Sequence, residues 1–320
     1  LQFLFKPEQC SLPVSAILLP DNIQIMKKIL LLLFTFSSLA GIAQVSADKN
    51  RILYGPCVKD SLQTGSFGSW FNPGYESYIT NPAVLSQLKN INCKDITIEI
   101  FFGTWCGDSK REVPRFLRLL SDFSFPVQNT KLIAVGGNDS LVKQSPGHEE
   151  AGKGILRVPT FIIYKKGIET GRINEYPVYS LEKDLLTLFR NESYNPNYQS
   201  FSLLRKWLAD STLLDDNCNT AGLAGILRSA VKNEHELNSA GYLLLKQGRR
   251  KEALRIFQIN YTLFPESSNT ASSLGEGYYE NGDFKKAILL LERSLDLDKE
   301  HMATKEILEV LYKAKEKEKS

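Results

Sequence analysis

Hydrophobic and polar positions divide the 320-residue chain into stretches of different rhythm. From about Gly68 to Arg190, short β-branched runs alternate with segments of helical period. Asn81-Pro82 opens a helix in which Val84, Leu85 and Leu88 share a face, because proline at the first helical position sacrifices no hydrogen bond. Ile96 to Phe102 is almost continuously apolar, the sign of a strand buried on both faces. Val113, Phe116, Leu117 and Leu120 recur at i, i+3, i+4 and i+7 and predict a helix over about 109–121. Leu132 to Val135 predicts a short strand. Thr160 to Tyr164 and Glu169 to Ile173 flank Lys166-Gly167 as a hairpin, and Ser180 caps a last helix through Phe189. The predicted class for this stretch, 68–190, is α/β, with a central mixed sheet flanked by helices.

After Arg190 the rhythm becomes helical throughout. Asn191 to Gln199, polar and holding Pro196, predicts a linker. Helices follow at about 201–209 and 220–231. Gly241, Gly248 and Ala253 then recur as Gly275, Gly282 and Ala287, each 34 residues on. This period marks two repeats, 234–267 and 268–301, followed by a capping helix over 302–315. About three such units are needed to bury a continuous core, so the earlier helices or the α/β part must pack against them. The length itself predicts two domains.

The N-terminal region has a different character. Met26-Lys27-Lys28 is a short basic segment, Ile29 to Leu39 carries no charge, and Ala40-Gly41-Ile42-Ala43 supplies small residues three apart. That layout predicts a signal peptide over 26–43. Its apolar run, about fifteen residues, falls short of the roughly 20 that span a bilayer. Residues 1–25 then form an untranslated or dispensable leader, 44–67 an N-terminal extension, and the product is exported without a stable membrane span.

Composition narrows the function classes. Hydrophobic residues at 42% and charged residues at 23% fit neither a disordered chain nor a polytopic membrane protein. A net charge of +3, without a basic block, lacks the footprint of nucleic-acid binding. Beyond Cys10 in the leader, Cys57, Cys93, Cys106 and Cys218 are scattered, and His148, His235 and His301 lie far apart. No metal-ligand spacing is present, so neither a metal nor a cofactor is expected.

Gly103-Thr104-Trp105-Cys106-Gly107-Asp108-Ser109-Lys110, at the junction of the apolar strand and the second helix, resembles the active site of the thioredoxin family. Pro114 stands where that family kinks its active-site helix, Arg157-Val158-Pro159-Thr160 resembles the loop whose proline is cis there, and Gly167 completes the hairpin pattern. About 120 residues are covered, with four motifs in order. The resemblance implies a thioredoxin fold, with Cys106 as nucleophile and Trp105, Val158 and Pro159 as the rim that docks a peptide. A helix N-terminus favours the thiolate, the form that attacks disulfides.

The departures from the family alter that chemistry. Ser109 stands where thioredoxins carry their second cysteine, and a hydroxyl cannot resolve a mixed disulfide. Ser109 is left as a hydrogen-bond donor to the Cys106 thiolate. Cys93 begins the strand that ends just before the active site, and a strand of about seven residues at roughly 3.3 Å each separates it from Cys106, which puts it at the wrong end of the sheet. Cys57 ranks first as a relocated resolving thiol and Cys218 second, each weighed against being inert. Ile100 replaces the family's buried carboxylate, and neighbouring Glu99 is expected to pair with a Lys or Arg instead. Extra length between Cys106 and Pro159 falls in the Gly-rich loop 137–153, where His148 reads as a solvated residue. Cys-Gly-x-Ser is also the motif of monothiol glutaredoxins, but Val158-Pro159-Thr160-Phe161 lacks their glutathione pattern, and the proline and threonine that frame a peroxiredoxin cysteine are missing.

The 34-residue period resembles tetratricopeptide repeats, with Phe257 and Tyr278 at large-residue positions and Pro265 ending the first repeat. Together these resemblances imply an exported protein, in the periplasm of a Gram-negative-type envelope or secreted, that exchanges disulfides with protein or peptide substrates through Cys106. A protein partner on the repeats, or a stabilising role for them, is equally implied. The other class is a catalytically idle module that keeps the fold for binding.

Overall fold

In the computed structural model, residues 46–47, 52–137 and 141–319 are described. The leader and signal-peptide assignments, 1–25 and 26–43, lie outside them. The chain is mixed α/β. Its first part runs β1 (Ser46–Ala47), β2 (Leu53–Cys57), α1 (Lys59–Gln63), α2 (Gly65–Glu76), α3 (Pro82–Lys89), β3 (Ile96–Phe102), α4 (Gly107–Asp122), β4 (Thr130–Ala134), β5 (Thr160–Lys165), β6 (Ile168–Asn174) and α5 (Leu181–Phe189). The sheet is ordered β2-β4-β3-β5-β6, and β1 extends its β2 edge. Only β3 and β4 run parallel, with Ile100 beside Leu132, and the other pairs are antiparallel.

Side-chain alternation along the strands divides the core between the two faces of the sheet. Ile96, Ile98, Ile100 and Phe102 of β3, Leu132 and Ala134 of β4, and Phe161 and Ile163 of β5 join the helices of one face. There Phe116 of α4 stacks on Phe161 with ring centres 4.3 Å apart. Phe101, Ile133 and Ile162 point the other way, where Val135, Ile155 and Val158 cover them. β3 is buried on both faces only from Ile100 onward, since Thr97 is exposed and Glu99 partly so. The starts of α3 and α5 follow the capping rule: the Asn81 side chain accepts from the N–H of Ala83 and Val84, and Ser180 Oγ accepts from Lys183.

The α/β part begins earlier than residue 68. β2 belongs to its sheet, and Leu62 and Phe71, fully buried, belong to its core. Gly55 and Pro56 hide β2, and Gly65, Gly68, Pro73 and Gly74 depress the helix propensity of α2. Packing overrides these local signals.

The helical part comprises α6 (Ser200–Ala209), α7 (Thr220–Leu227), α8 (Glu234–Lys246), α9 (Arg250–Leu263), α10 (Ser268–Glu280), α11 (Phe284–Leu297) and α12 (Thr304–Lys319). The 34-residue interval is a repeat of packing as well as of letters. A Cβ on Gly241 would stand 2.4 Å from Phe257, and one on Gly275 would stand 2.7 Å from Leu291. Each glycine thus admits one large side chain of the following helix. The repeats bury their core with help from both directions, because Phe201, Leu204 and Trp207 of α6 and Val142 and Leu156 of the β4–β5 connection share it.

The described residues between 44 and 320 cluster as one compact unit. The 191–199 segment is held to α5 and to the turn after β6: Tyr194 donates to Asp184 at 2.8 Å, and Asn197 Nδ2 to the Tyr176 carbonyl at 2.9 Å. Tyr198 stacks on Phe201 while Arg157 lies 5.1 Å over its ring. α8 closes the junction through Ser239, which accepts from Arg157 Nη2 at 2.9 Å, and α9 follows it through the turn after Gln247, whose Nε2 donates to the Val142 carbonyl at 3.1 Å.

Candidate functional site

β3 ends at Phe102, and the chain turns through Gly103 to Trp105 before entering α4. Cys106 is the N-cap of that helix, in extended backbone geometry, and caps it with no side-chain hydrogen bond. The half-buried Cys106 Sγ instead donates to the Val158 carbonyl at 3.2 Å. The Val158–Pro159 peptide is cis. Pro159 in turn accepts from the Glu175 N–H at 2.7 Å, so the turn after β6 lies against the same loop. Beyond it Tyr176, Val178 and Tyr179 are exposed, Tyr179 by 77%.

The five residues singled out in the sequence take distinct places. Cys106, Trp105 and Val158 share one cluster on the same face of the sheet, with Pro159 adjoining. Trp105 is half-buried and donates from Nε1 to the Val135 carbonyl at 3.0 Å. Val158 is buried at 3% exposure, and its carbonyl is engaged by the thiol rather than open to a peptide. Ser109 departs from its expected role. Its fully buried hydroxyl oxygen accepts the Gly103 N–H at 3.1 Å, which ties α4 to the loop before Cys106. No hydrogen bond joins Ser109 to Cys106 among the described residues, because the N3 side chain here turns toward the strand end.

The other cysteines lie apart from Cys106. The four cysteines among the described residues are unbridged. Cys57 packs into the core on the opposite face of the sheet, beside Leu132 in register, and burial pushes its thiol up to about 12. Cys93 precedes β3 at the far end, and Cys218 packs on the helical core; burial raises both thiols. Glu99 is ion-paired with Lys153 and with Lys131 at 3.6 Å, and accepts from Tyr164 at 3.1 Å. His148 is exposed, with Nδ1 3.3 Å from Glu150.

Three further contributions come from residues to which the sequence assigned no role. Thr104 is buried, and its hydroxyl accepts the Leu53 N–H at 3.1 Å, joining the site loop to β2. Gly103 and Gly137 make the slot for Trp105: a Cβ would stand 2.5 Å and 2.7 Å from indole atoms respectively. The third is Lys143, whose Nζ donates to the Leu156 carbonyl at 2.6 Å. Only the extra length between Cys106 and Pro159 hinted at the connection that supplies Gly137 and Lys143.

Two measurements probe these contributors. Gly137→Ala is expected to drive the indole out of its slot, lowering stability by about 1–3 kcal/mol in urea unfolding and shifting tryptophan emission to the red. Unchanged emission and midpoint would show that the slot has room. Lys143 is held down at about 8, chiefly by burial and then by Arg157. A lysine lowered in this way binds fewer protons folded than unfolded between about pH 8 and its ordinary 10.5. Its penalty is full below pH 8 and fades as pH rises through that window. Wild-type stability should therefore rise relative to Lys143→Met between pH 8 and 10; a flat difference would contradict this.

Among the described residues no three His, Cys, Asp or Glu side chains converge as a metal site. No helix among them is long and apolar enough to cross a membrane. Comparison with known proteins finds no matching family model, no matching curated protein and no matching solved structure, so the chemistry of the site is read from its own residues.

Proposed function

We propose that the chain is an exported thioredoxin-like protein, acting in a periplasm-type compartment, that performs monothiol thiol–disulfide exchange on protein or peptide substrates through Cys106. Cys106 itself carries the reading: its sulfur stands at the N-terminus of the sixteen-residue α4 and packs with Trp105 and Val158 beside Pro159. The thiolate attacks a substrate disulfide, forming a Cys106–substrate disulfide and releasing the other substrate sulfur as a thiolate. A second substrate thiol or an external thiol then attacks the adduct as its own thiolate, and Cys106 leaves with the bonding pair. Trp105, Val158 and Pro159 form the docking rim, and the exposed Tyr176 to Tyr179 segment extends it. The 34-residue hairpins are tetratricopeptide-like, serving a protein partner or the stability of the site loop.

An idle binding module is the second reading, favoured by one observation: the Val158 carbonyl, which would pair with an extended peptide, already holds the thiol. Trapping separates the two. The folded chain is mixed with a disulfide-bearing peptide, quenched by acid and mapped by mass spectrometry. Exchange predicts a peptide adduct on Cys106 that an added thiol releases. A Cys106 that forms no adduct sinks the enzyme reading and leaves the module.

A further inference from the structure

Between the β4–β5 connection and the helical part lies a cleft of about 410 Å³ that none of Trp105, Cys106, Val158 and Pro159 lines. Leu156 of the connection, Leu208 of α6 and Leu243 and Leu244 of α8 give it an apolar wall. Lys143, Arg205 and Arg249 bring cationic side chains to the same space, and Glu150 brings a carboxylate. Its size falls within the roughly 300–1,000 Å³ of small-molecule pockets, which likewise combine apolar walls with a few polar groups that fix orientation.

Most of these charges already have partners. Arg249 gives two hydrogen bonds to Glu252, at 2.6 and 2.5 Å. Glu150 accepts from the Ser145 N–H at 2.9 Å and from the Ser145 hydroxyl, and His148 Nδ1 stands 3.3 Å from its other oxygen. Lys143 donates to the Leu156 carbonyl. Arg205 is the exception, with no hydrogen bond among the described residues. The carboxylate paired with it, Glu169, stands 3.9 Å away and is held by Arg172 through bonds of 2.7 and 2.6 Å. The position of Arg205 is nonetheless fixed. Gly154 lies at φ +58°, and a Cβ there would stand 2.6 Å from Arg205 Cγ, so the connection is shaped to seat the arginine stem. Burial, and then Arg172, hold the guanidinium at about 10 rather than 12.5, as befits a cation short of a counter-charge.

We propose that this cleft binds a small organic carboxylate with an apolar body: the carboxylate meets the Arg205 guanidinium, and the body lies along Leu208, Leu243 and Leu244. A planar guanidinium whose N–H donors are not engaged matches a carboxylate with two parallel hydrogen bonds. The charge balance selects a monoanion. Arg249 cancels Glu252, Arg172 cancels Glu169 and Glu150 offsets Lys143, which leaves the charge of Arg205 over. A second negative group on the ligand would meet Glu150 in the same lining. The site is separate from the Cys106 cluster and does not depend on the exchange reading.

The test is calorimetric titration of the full folded chain with octanoate near neutral pH, beside octanol, octylammonium and acetate. Octanoate should bind one to one and about 10-fold or more tighter than each of the others, which lack the charge, reverse it or lack the apolar body. Arg205→Met keeps a stem over Gly154 and removes the charge, so it should weaken octanoate by about 10-fold or more while leaving octanol unchanged. Ala209→Trp, at an exposed position of the cleft lining, obstructs the cleft without altering a charge and should weaken octanoate too. If Arg205→Met does not fold, the four-ligand comparison on wild type and the Ala209→Trp variant carry the test. No binding of octanoate, octanoate bound no tighter than octanol, or octanoate held equally well by Arg205→Met or by Ala209→Trp overturns the proposal.

Discussion

On the proposed exchange reading, alanine at Cys106 is expected to bring disulfide exchange to the uncatalysed background, a fall on the order of 100-fold or more. Sulfur chemistry requires a thiolate that both attacks and leaves, and no other described cysteine is placed to act. Cys57 lies across the sheet with its thiol pushed up to about 12, so at neutral pH almost none of it is ionised. Cys93 and Cys218 are raised by burial and sit in other regions. The measurement is turnover of a disulfide-bearing peptide, monitored by thiol release, in wild type and Cys106→Ala side by side. Residual activity above a few per cent of wild type, on this order-of-magnitude scale, would show that another thiol does the work.

Ser109→Cys is the informative counterpart. N-cap and N3 side chains face one another across the first helical turn, the geometry a capping box uses. A thiol at 109 could then resolve the Cys106 adduct from within, so the variant should lose the dependence of turnover on external thiol. Its cost is the Ser109 acceptor of the Gly103 N–H, about 1 kcal/mol of stability. Turnover that still depends on external thiol would show that the side chain at 109 stays turned toward Gly103.

The second large effect belongs to the helical part. Phe257→Ala should lower stability by about 3–5 kcal/mol, because the ring is fully buried and its neighbours have grown around it. Gly241 and Gly277 leave the space it fills, and Tyr242 meets it edge-on with ring centres 5.1 Å apart. Removing the ring leaves a cavity that two glycines cannot close. Val142 and Leu156 belong to the same core, so the loss should reach the loop that holds Lys143 and, beyond it, Val158. Urea unfolding followed by Cys106 alkylation tests both parts. One transition, shifted to lower denaturant with Cys106 exposed in step, is expected. Two transitions, with the Cys106 one unmoved, would show that the helical part and the sheet are energetically separate.

Particular residues show why some of this was legible in the sequence. β3 stands where the Ile96 to Phe102 run placed it, and α3 and α5 start where Asn81 and Ser180 supply side-chain acceptors. Periodicity and capping are local, so one sequence carries them. The 34-residue interval was legible for a related reason: Gly241 with Phe257 and Gly275 with Leu291 are the same packing solution used twice. β2, α1 and α2 were not legible: α1 is only five residues long, and the glycines and prolines of β2 and α2 contradict the elements they form. Their stability comes from Leu62 and Phe71 meeting helices and strands far along the chain.

The same division runs through the candidate site. Trp105, Cys106, Val158 and Pro159 could be named from their motifs, and the junction of an apolar strand with an amphipathic helix was enough to put Cys106 at a helix N-terminus. The sequence by itself determined the order of the main elements, the helix end that favours a thiolate, and the absence of a second thiol at position 109. Only the tertiary structure decided that Ser109 serves Gly103, that Cys57 lies behind the sheet, that Gly103 and Gly137 seat the indole, and that Lys143 bonds the Leu156 carbonyl of the loop before Pro159. The reason is range: a helix end or a strand is set by neighbours within a few residues, whereas a buried charge, a slot between two glycines or the face a thiol occupies exists only once distant segments have packed together.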